Sequence, residues 1–490
     1  MKEIVESYFA HRSMVNHQLA SYDDCIPIGD GKGSRMEDIV KGIRIGSDDA
    51  LMDVPGGEDA GGMIKLDVLD KEIFIRMKGI RLGAPTVREA NGAEHPATPL
   101  ECRLRKLTYF SPIYMDFRIY RDDLPPSSTD SDIGFIEEEG VHIGNLPIMV
   151  RSGRCNLHPD HIAGTQEKSL KLSPTTSTED AQRHKELLRK SGEDPLDPGG
   201  YFIINGTERV LISMEDLAPN RVTVEKNKKY AHETEVAKIF SQKDGVRKPI
   251  NVEKRRDGML MVKIPSAGTT AIPVVLLMRA LGMENDRDIF SAIAGPVEAM
   301  KYTVANLNDV KDNPEYGVDN TEEAMAWLEK KFAAGQQKEY RESRIQNLLD
   351  KELLPHLGSD ESVRTKKAIF LGRIVRQVLE MAITNRDPND KDHYANKRVR
   401  LAGDLMEDLF RVGVQGLARD LKYQLERHHN RKRELKINSC LRPDVLTSKI
   451  MHALATGNWV GGRSGVSQLL DRTTYLASLS HMRRVTSPLV

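Results

Sequence analysis

Two stretches of the chain combine apolar runs with the turn residues of a β-hairpin. Residues 201–212 carry Asn205-Gly206 between two apolar runs, and residues 249–264 carry Asp257-Gly258 in the same position. Because Asn-Gly and Asp-Gly accept the positive φ angles of a type I′ turn, each stretch predicts an antiparallel hairpin closed by that turn. The second stretch also alternates polar and apolar residues, as a half-buried pair of strands should.

Helical spacing of apolar residues dominates most of the remaining chain. The run 399–426 predicts the longest helix, since leucine or valine recurs at every third or fourth position. Glycines inside it lower helix propensity, and we expect them where the helix packs closely on a neighbour. They are Gly403, Gly413 and Gly416.

Three further stretches of the chain are predicted to be helical. The apolar run 272–281 predicts a helix with Pro273 in its first turn, and the charged run 321–354 predicts a helix broken near Gly335. Residues 178–190 predict a charged surface helix capped by Ser177. Long helices mixed with antiparallel hairpins indicate an α+β fold with several domains.

Composition bounds the class of protein. The 490 residues are 39% hydrophobic and 29% charged, which is typical of a soluble chain with about two to four domains. No apolar run approaches the ~18 residues of a membrane span, and the acidic N-terminus does not fit a signal peptide. The four cysteines, which form no Cys-x-x-Cys pair, are expected to be buried thiols in a reducing cytoplasm. They are Cys25, Cys102, Cys155 and Cys440.

Zero net charge conceals an asymmetry. Residues 361–490 hold 24 Lys and Arg against 13 Asp and Glu, whereas the rest of the chain holds 48 against 59. One interpretation is an end that faces a polyanion. The alternative is that the basic helices of the last third dock on acidic surfaces elsewhere in the protein.

Candidate catalytic patterns favour structural interpretations. The glycine-rich stretches 29–34 and 56–62 lack phosphate-loop spacing and predict turns. Asp387, Asp390 and Asp392 match no calcium loop and are expected before a helix N-terminus. We assign no catalytic residue and no metal ligand, so any catalytic metal of an enzyme containing this chain would be held by another chain.

Two basic clusters are open to either interpretation. Residues 427–433, Arg-His-His-Asn-Arg-Lys-Arg, follow the predicted long helix, where cations complement the helix C-terminus or attract nucleic acid. Residues 397–400, Lys-Arg-Val-Arg, precede that helix, and Lys397 and Arg398 are candidate phosphate contacts.

The segment 465–490 is the densest set of groups able to bind phosphates and 2′-hydroxyls. We predict contacts to nucleic acid from this segment and from Arg463 just before it. The candidates are Arg463, Gln468, Asp471, Arg472, His481, Arg483 and Arg484. The alternative is that Asp471, Arg472 and Arg483 pair with one another and stiffen the segment.

Ordered motifs over nearly the whole chain closely resemble the second-largest subunit of cellular multisubunit RNA polymerases. They are Arg103–Tyr114, Leu146–Ser152, Pro198–Ile212, Asp392–Arg398 with Leu401–Gly403, Thr456–Trp459 and Gly465–Pro488. The resemblance implies the N-terminal product, B″, of the gene that is split in some archaea, and the end at Val490 fits that split or a truncated fragment.

The resemblance also implies a layout. Residues 1–217 and 396–445 would form the protrusion, residues 218–395 the lobe, and residues 446–490 the fork region. These elements would line the DNA cleft near the RNA–DNA hybrid. The implied partners are the C-terminal half of the same second-largest subunit (B′), the largest and other polymerase subunits, promoter DNA and nascent RNA, with Mg²⁺ held mainly by the largest subunit.

The terminal segment is also similar, without a gap, to the bacterial β-subunit segment that lines the rifamycin pocket beside nascent RNA. Gln468, Asp471, His481 and Arg484 fall on matching positions. Leu469, Tyr475 and Met482 depart from the bacterial pattern, so drug sensitivity is not carried over.

Three functions remain to be compared. The first is a non-catalytic, cytoplasmic subunit of DNA-directed RNA polymerase that supports promoter binding and transcription. The second is a stand-alone nucleic-acid-binding protein, which would bind DNA by itself in a salt-sensitive manner. The third, a self-sufficient nucleotidyltransferase, is disfavoured because the chain offers no cluster of aspartates for two metals.

Overall fold

The computed structural model of the chain describes two compact units. The described residues are 13–27, 33–45, 62–66, 73–121, 135–162, 178–229, 232–243, 246–265, 268, 270–293, 295–335, 337–384, 386–433 and 435–487. Unit 1 combines residues 1–215 with 399–490, and unit 2 comprises residues 216–398.

A five-stranded sheet forms the centre of unit 1. Its strands are antiparallel except for the first pair, which is parallel. Alternate residues such as Ile75, Phe117 and Ile143 are buried, because one face of each strand meets the core. In spatial order the strands are Arg44–Ile45, Met63–Leu66, Ile73–Leu82, Phe110–Arg121 and Phe135–Pro147.

Three smaller sheets contain the other strands of unit 1 that the structure describes. Thr86–Arg88 pairs with Glu94–Pro96. A second sheet has the order Ser467–Leu469, Thr207–Leu211 and Phe202–Ile204. A third has the order Lys397–Arg400, Ser213–Leu217 and Val485–Thr486.

The helix Ala402–Asn430, called the long helix below, packs in the core of unit 1 through buried leucines such as Leu405, Leu409 and Leu417. Asp404 accepts the N–H of Leu401 at 3.0 Å, which satisfies one of the free donors at the helix start. The other helices of unit 1 are Asn16–Cys25, Arg35–Lys41, Pro99–Leu104, Pro159–Ile162, Thr178–Lys190, Ile437–Cys440, Asp444–Thr456 and Tyr475–Met482.

Buried Gln18 joins three parts of unit 1. Its amide oxygen accepts the N–H of Ala402 at 2.9 Å, and its amide nitrogen donates to the Leu211 carbonyl at 3.2 Å and to the Ser213 hydroxyl at 2.9 Å. The start of the long helix is therefore fixed to the strand that supports the terminal segment, since a buried amide left without these partners would cost free energy.

Unit 2 begins with an antiparallel meander of five strands. These are Val222–Lys229, His232–Lys243, Val246–Lys254, Leu260–Lys263 and Ile272–Pro273. Helices then follow and share a separate hydrophobic core with the sheet. The α-helices are Val274–Ala280, Asp286–Ile293, Val297–Asp312, Thr321–Phe332, Lys338–Asn347 and Arg364–Thr384. Leu348–Glu352 is a π-helix, and Pro355–Leu357, Glu361–Val363 and Tyr394–Asn396 are 3₁₀ turns.

The α+β class and most predicted elements are confirmed. The hairpin at Asn205-Gly206 has φ angles of 50° and 76°, which confirms its type I′ turn. The helix Thr178–Lys190 has the predicted bounds. The predicted break near Gly335 is also confirmed, since this glycine, with φ 90°, lies between the helices Thr321–Phe332 and Lys338–Asn347. The predicted cap Ser177 and the stretch 56–61 lie outside the described residues, as do residues 29–32.

The second hairpin corrects the predicted turn type. Gly258 has φ 89°, but Asp257 does not have a positive φ. The N–H of Gly258 instead donates to Arg255 at 3.0 Å, and the Asp257 carboxylate accepts the N–H of Met259 at 3.0 Å. The loop therefore holds three residues, with glycine alone in the left-handed region. Leu260, Met261 and Val262 are all buried, so this strand also departs from the predicted alternation.

The predicted helix 272–281 starts later than expected. Ile272-Pro273 pairs with the preceding strand, and the helix begins at Val274. Pro273 has φ −57° and ψ 133°, an extended conformation that its ring permits. Similarly, the aspartates 387, 390 and 392 lead into a 3₁₀ turn and a strand, and the long helix starts only at Ala402.

Two further predictions concern the cysteines and membrane-spanning helices. The four cysteines are buried free thiols, as predicted. Among the described helices, none is long and apolar enough to cross a membrane.

Candidate nucleic-acid interface

The terminal segment, residues 465–487, is attached to the hairpin of unit 1 as an added strand. Ser467–Leu469 pairs antiparallel with Thr207–Leu211, with Gln468 opposite Val210. Leu470 donates its N–H to the Glu208 carbonyl at 2.9 Å, and Ile212 donates to the Val466 carbonyl at 2.9 Å. Backbone hydrogen bonds therefore set the register of the segment.

A turn at Gly457 precedes this strand along the chain. Gly457 ends the helix Asp444–Thr456 with φ 79°, and a Cβ there would lie 2.6 Å from the Ser467 carbonyl oxygen. Trp459 donates its indole N–H to the Leu405 carbonyl of the long helix at 3.0 Å. The motif Thr456–Trp459 therefore contributes a left-handed glycine cap and a buried aromatic anchor.

Arg472 is held by an acidic cradle on the hairpin. Its Nε lies 2.6 Å from Glu208 Oε2 and its Nη2 lies 3.0 Å from Glu208 Oε1, a bidentate pair. Nη2 also lies 3.4 Å from Asp197 Oδ2, and the guanidinium carbon is 4.8 Å from the centre of the Tyr201 ring. Arg472 therefore fastens the terminal segment to the hairpin.

Arg103 belongs to the same network of charged groups. It donates to Glu208 at 2.8 Å, to buried Glu193 at 3.0 Å and to the Tyr201 hydroxyl at 2.7 Å. Burial, with the nearby Asp197 carboxylate, raises the pKa of Tyr201 well above its ordinary value, so its hydroxyl stays neutral and donates to Asp197. Carboxylates and arginines thus satisfy one another beneath the segment.

Asp471, His481 and Gln468 form a second network. The N–H of Asp471 donates to His481 Nδ1 at 3.2 Å, and His481 Nε2 lies 3.0 Å from Gln468 Oε1. The Asp471 carboxylate also accepts the N–H of Thr473 at 2.9 Å and its hydroxyl at 2.6 Å. These bonds, with Arg484 and His481 nearby, hold the pKa of Asp471 below its ordinary value. Asp471 therefore shapes the loop before the helix Tyr475–Met482.

The last two arginines differ in their bonding. Arg483 donates to the Met14 carbonyl at 2.7 Å, which links the segment to the N-terminal part of unit 1. Arg484 is exposed, and among the described residues none forms a hydrogen bond with its guanidinium group. Both line an open groove with Leu476, Leu479 and Ser480. Of these two arginines, Arg484 is therefore the more available to a ligand.

The remaining candidates lie outside the terminal segment. Arg463 pairs with Trp459 in a tight turn that contains Gly461 and Gly462. Lys397 and Arg398 belong to unit 2: Lys397 lies 3.9 Å from Asp392 and over the Tyr394 ring, and Arg398 donates to the Lys397 carbonyl at 2.8 Å. Gln468, Asp471 and His481 therefore lie together in unit 1, whereas Lys397 and Arg398 belong to unit 2.

The alternative in which Asp471, Arg472 and Arg483 pair with one another is wrong. Each binds a different group: a neighbouring threonine, the Glu208 cradle and the Met14 carbonyl. Sequence reasoning missed Arg103, Glu193, Asp197, Tyr201 and Glu208 as supports of Arg472. Arg103 lies in the motif Arg103–Tyr114, and Tyr201 and Glu208 lie in the motif Pro198–Ile212. Nothing in one sequence links those motifs to position 472.

One group in the described part of the chain has the spacing of metal ligands. Ligand atoms of Glu89, His95 and Glu101 lie within 4.8 Å of one another. Arg105, however, places Nη1 at 2.6 Å from both Glu89 and Glu101. A cation would have to displace this guanidinium, so the geometry favours an ion-pair cluster.

The chain belongs to the RNA polymerase second-subunit family. Residues 13–171 match the family "RNA polymerase beta subunit", and residues 218–400 match "RNA polymerase Rpb2, domain 2". In particular, it matches DNA-directed RNA polymerase subunits named Rpo2N along its length. That of Halobacterium salinarum is 40% identical over 100% of this chain and 84% of its own length. That of Methanocaldococcus jannaschii is 39% identical over 100% and 86%. The longer Rpo2 subunit of Saccharolobus solfataricus is 38% identical over 99% of this chain and 38% of its own length.

Proposed function

We propose that the chain is the non-catalytic B″ component of an archaeal DNA-directed RNA polymerase, and that it lines the DNA cleft beside the RNA–DNA hybrid. Residues 1–217 with 396–445 would serve as the protrusion, residues 218–395 as the lobe, and residues 446–490 as the fork region. Matches to Rpo2N subunits over the whole of this chain support the assignment to the polymerase.

The main support for a nucleic-acid role is that an exposed cation, Arg484, lies in a segment that Arg472 fixes to the hairpin. Arg472 is engaged by Glu208, whereas Arg484 projects an exposed guanidinium beside the groove at Leu476 and Ser480. A guanidinium can donate two parallel hydrogen bonds to a phosphate, and a preorganised support reduces the entropy lost on binding. Gln468 adds a neutral amide, able to bind a sugar hydroxyl or base.

The proposed partners are the C-terminal counterpart (B′), the largest and other polymerase subunits, promoter DNA and nascent RNA, all in the cytoplasm. Nucleotide addition would use Mg²⁺ held mainly by the largest subunit. This chain would contribute positioning of nucleic acid, and its arginines would lower the electrostatic cost of bringing phosphates into the cleft.

Affinity purification of a tagged chain from its native cells tests the assignment. The expected eluate contains the largest polymerase subunits and the C-terminal counterpart, and it extends an RNA primer on a DNA template. An Arg419→Ala chain, altered at an exposed position of the long helix, is the matched control and should purify with the same subunits.

Two results would contradict the proposal. A monomeric chain that retains salt-sensitive DNA affinity without polymerase subunits would support the stand-alone binding protein. Primer extension by the purified chain alone would support a self-sufficient nucleotidyltransferase.

A further inference from the structure

Three hydrogen bonds form a continuous relay through His481. The N–H of Asp471 donates to His481 Nδ1 at 3.2 Å, His481 Nε2 lies 3.0 Å from Gln468 Oε1, and Gln468 Nε2 donates to the Gly465 carbonyl at 3.0 Å. His481 is only 6% exposed, while Gln468 is partly exposed. The relay therefore runs from a buried ring to a side chain at the surface.

Backbone groups at both ends decide the direction of every bond. A backbone N–H only donates, so His481 Nδ1 must be the acceptor and the ring proton must be on Nε2. A backbone carbonyl only accepts, so Gln468 must turn its NH₂ group toward Gly465 and its oxygen toward His481. The neutral Nε2–H tautomer is the only form of the ring that satisfies all three bonds.

This arrangement leaves one N–H of Gln468 without a partner in the relay. Rotation of the amide is restricted by two bonds, and its backbone is held in the strand opposite Val210. A fixed donor loses less entropy on meeting an acceptor than a freely rotating one.

We propose that His481 is a positioning residue: it orients the Gln468 amide so that its remaining N–H donates to an oxygen of the bound nucleic acid. The inference rests on the proposed function, because it requires that Gln468 face nucleic acid. His481 itself acts through Gln468 and makes no contact with the ligand.

The charges around the ring agree with the neutral form. Burial lowers the pKa of His481, and Arg484 lowers it further, while Asp471 opposes them. A proton on Nδ1 would point at the Asp471 N–H and break the first bond of the relay. The helix Tyr475–Met482 would then lose one of its links to the preceding loop. Another link is the hydrogen bond that the Ser478 hydroxyl donates to the Asp471 carbonyl at 2.6 Å.

Two substitutions test the two ring nitrogens of His481 separately. In His481→Gln, the side-chain NH₂ can reach the position of Nε2 and still donate to Gln468, but the acceptor for Asp471 is lost. In His481→Asn, the side-chain oxygen can replace Nδ1, but the donor to Gln468 is lost. His452→Asn, at an exposed position of the helix Asp444–Thr456, is the matched control.

The measurement is the dissociation constant of a fluorescent RNA–DNA hybrid scaffold from the polymerase assembled with each variant. We expect Gln468→Ala and His481→Asn each to weaken binding by about three- to tenfold, the range for one oriented hydrogen bond. His481→Gln should restore binding to within about twofold of wild type. The double variant Gln468→Ala/His481→Asn should bind as Gln468→Ala does, because both changes remove the same contact.

The outcomes distinguish failure of the proposed nucleic-acid contact from failure of the positioning role. If Gln468→Ala binds as tightly as wild type, the nucleic-acid role of Gln468 fails, and the positioning role fails with it. If Gln468→Ala weakens binding but His481→Asn does not, only the positioning role is overturned. If His481→Gln is as weak as His481→Asn, or if the double variant loses the product of both effects, His481 acts through structure and not through Gln468.

Discussion

Arg472 and Glu208 are joined by two nearly parallel hydrogen bonds, 2.6 and 3.0 Å long, although they are 264 positions apart. Glu208 also accepts from Arg103 at 2.8 Å, so one carboxylate binds two arginines. This pair connects the hairpin motif to the terminal segment. A basic residue that resembles a phosphate contact in the sequence is therefore already neutralised within unit 1.

The first prediction concerns the salt dependence of nucleic-acid binding. Arg484→Ala in the assembled polymerase should reduce the slope of log affinity against log salt by about 0.7 to 0.9, the loss of one phosphate contact. Arg472→Ala should leave the slope unchanged, because the guanidinium of Arg472 is engaged by carboxylates. Titrations of a hybrid scaffold at several salt concentrations measure both slopes.

Arg419→Ala, an exposed substitution on the long helix, is the control for that experiment and should keep the wild-type slope. Equal slopes for Arg484→Ala and the control would show that Arg484 contacts no phosphate. A reduced slope for Arg472→Ala would show that its ion pair opens when nucleic acid binds.

The second prediction concerns the strength of the Arg472–Glu208 pair. A double-mutant cycle with alanine at both positions should give a coupling free energy of about 1–2 kcal/mol, since the pair is bidentate but partly exposed. The amide of Leu470, which donates to the Glu208 carbonyl, should exchange hydrogen faster in Arg472→Ala. The exposed pair Arg376–Glu380 should couple by only about 0.3–0.5 kcal/mol, and equal coupling in the two pairs would refute the anchoring role.

The third prediction concerns two glycines of the long helix. A Cβ on Gly403 would overlap the Ser21 carbonyl oxygen, whereas a Cβ on Gly416 would meet no atom within 4 Å. Gly403→Ala should therefore lower the thermal unfolding midpoint of unit 1, with a cost of about 1–3 kcal/mol from overpacking. Gly416→Ala should stabilise the helix by about 0.5–1 kcal/mol. Equal effects of the two substitutions would contradict the packing described for the start of the helix.

The fourth prediction is a pH dependence from Asp23. Burial, partly opposed by a hydrogen bond from the Gly153 N–H, raises the pKa of Asp23 from 3.8 to about 6. Because the folded state binds the proton more tightly, the protonated carboxyl contributes to the free energy of unfolding. This contribution is fully present below pH 3.8 and is lost as the pH rises through about 6, a loss of up to about 3 kcal/mol. Asp23→Asn keeps the acceptor for Gly153 and cannot ionise, so it should stabilise unit 1 by about 1–2 kcal/mol at pH 7.5. Thermal unfolding at pH 7.5, 6 and 4 measures the trend, which should fade at pH 4.

Glu139→Gln is the matched control for that series, because its side chain is exposed and Glu139 does not contribute to the pKa shift of Asp23. It should change stability by no more than about 0.5 kcal/mol. A gain for Asp23→Asn that stays constant between pH 4 and 7.5 would exclude ionisation of Asp23 as its cause.

Local patterns predicted elements whose physics is local. The φ angles of Asn205 and Gly206, the bounds of Thr178–Lys190 and the break at Gly335 follow from steric preference and helical spacing. The loop at Asp257 was predicted incorrectly because Asp257 can bind the N–H of Met259 with its own side chain, which favours a different turn. Ile272-Pro273 became a strand because it pairs with Met261 and Val262, a tertiary contact that overrides helical spacing.

The candidate site shows the same division. Sequence alone marked Gln468, Asp471, Arg472 and His481 as one polar set, but it could not say which of them are engaged by the protein itself. That distinction depends on Glu208 and Tyr201, more than 250 positions away along the chain. Only the fold brings the hairpin and the terminal segment together, so Arg472 and Arg484 looked equivalent until their partners were known.

Site-specific cross-linking tests the central claim most directly. A photoreactive amino acid replaces exposed Ser480, which lines the groove beside Arg484, in a polymerase bound to a labelled RNA–DNA hybrid scaffold. The same group at Leu104, an exposed position of the helix Pro99–Leu104, is the control. We predict a nucleic-acid adduct at position 480 and none at 104. A complex that binds the scaffold but yields no adduct at 480 would contradict the claim that the terminal segment faces nucleic acid.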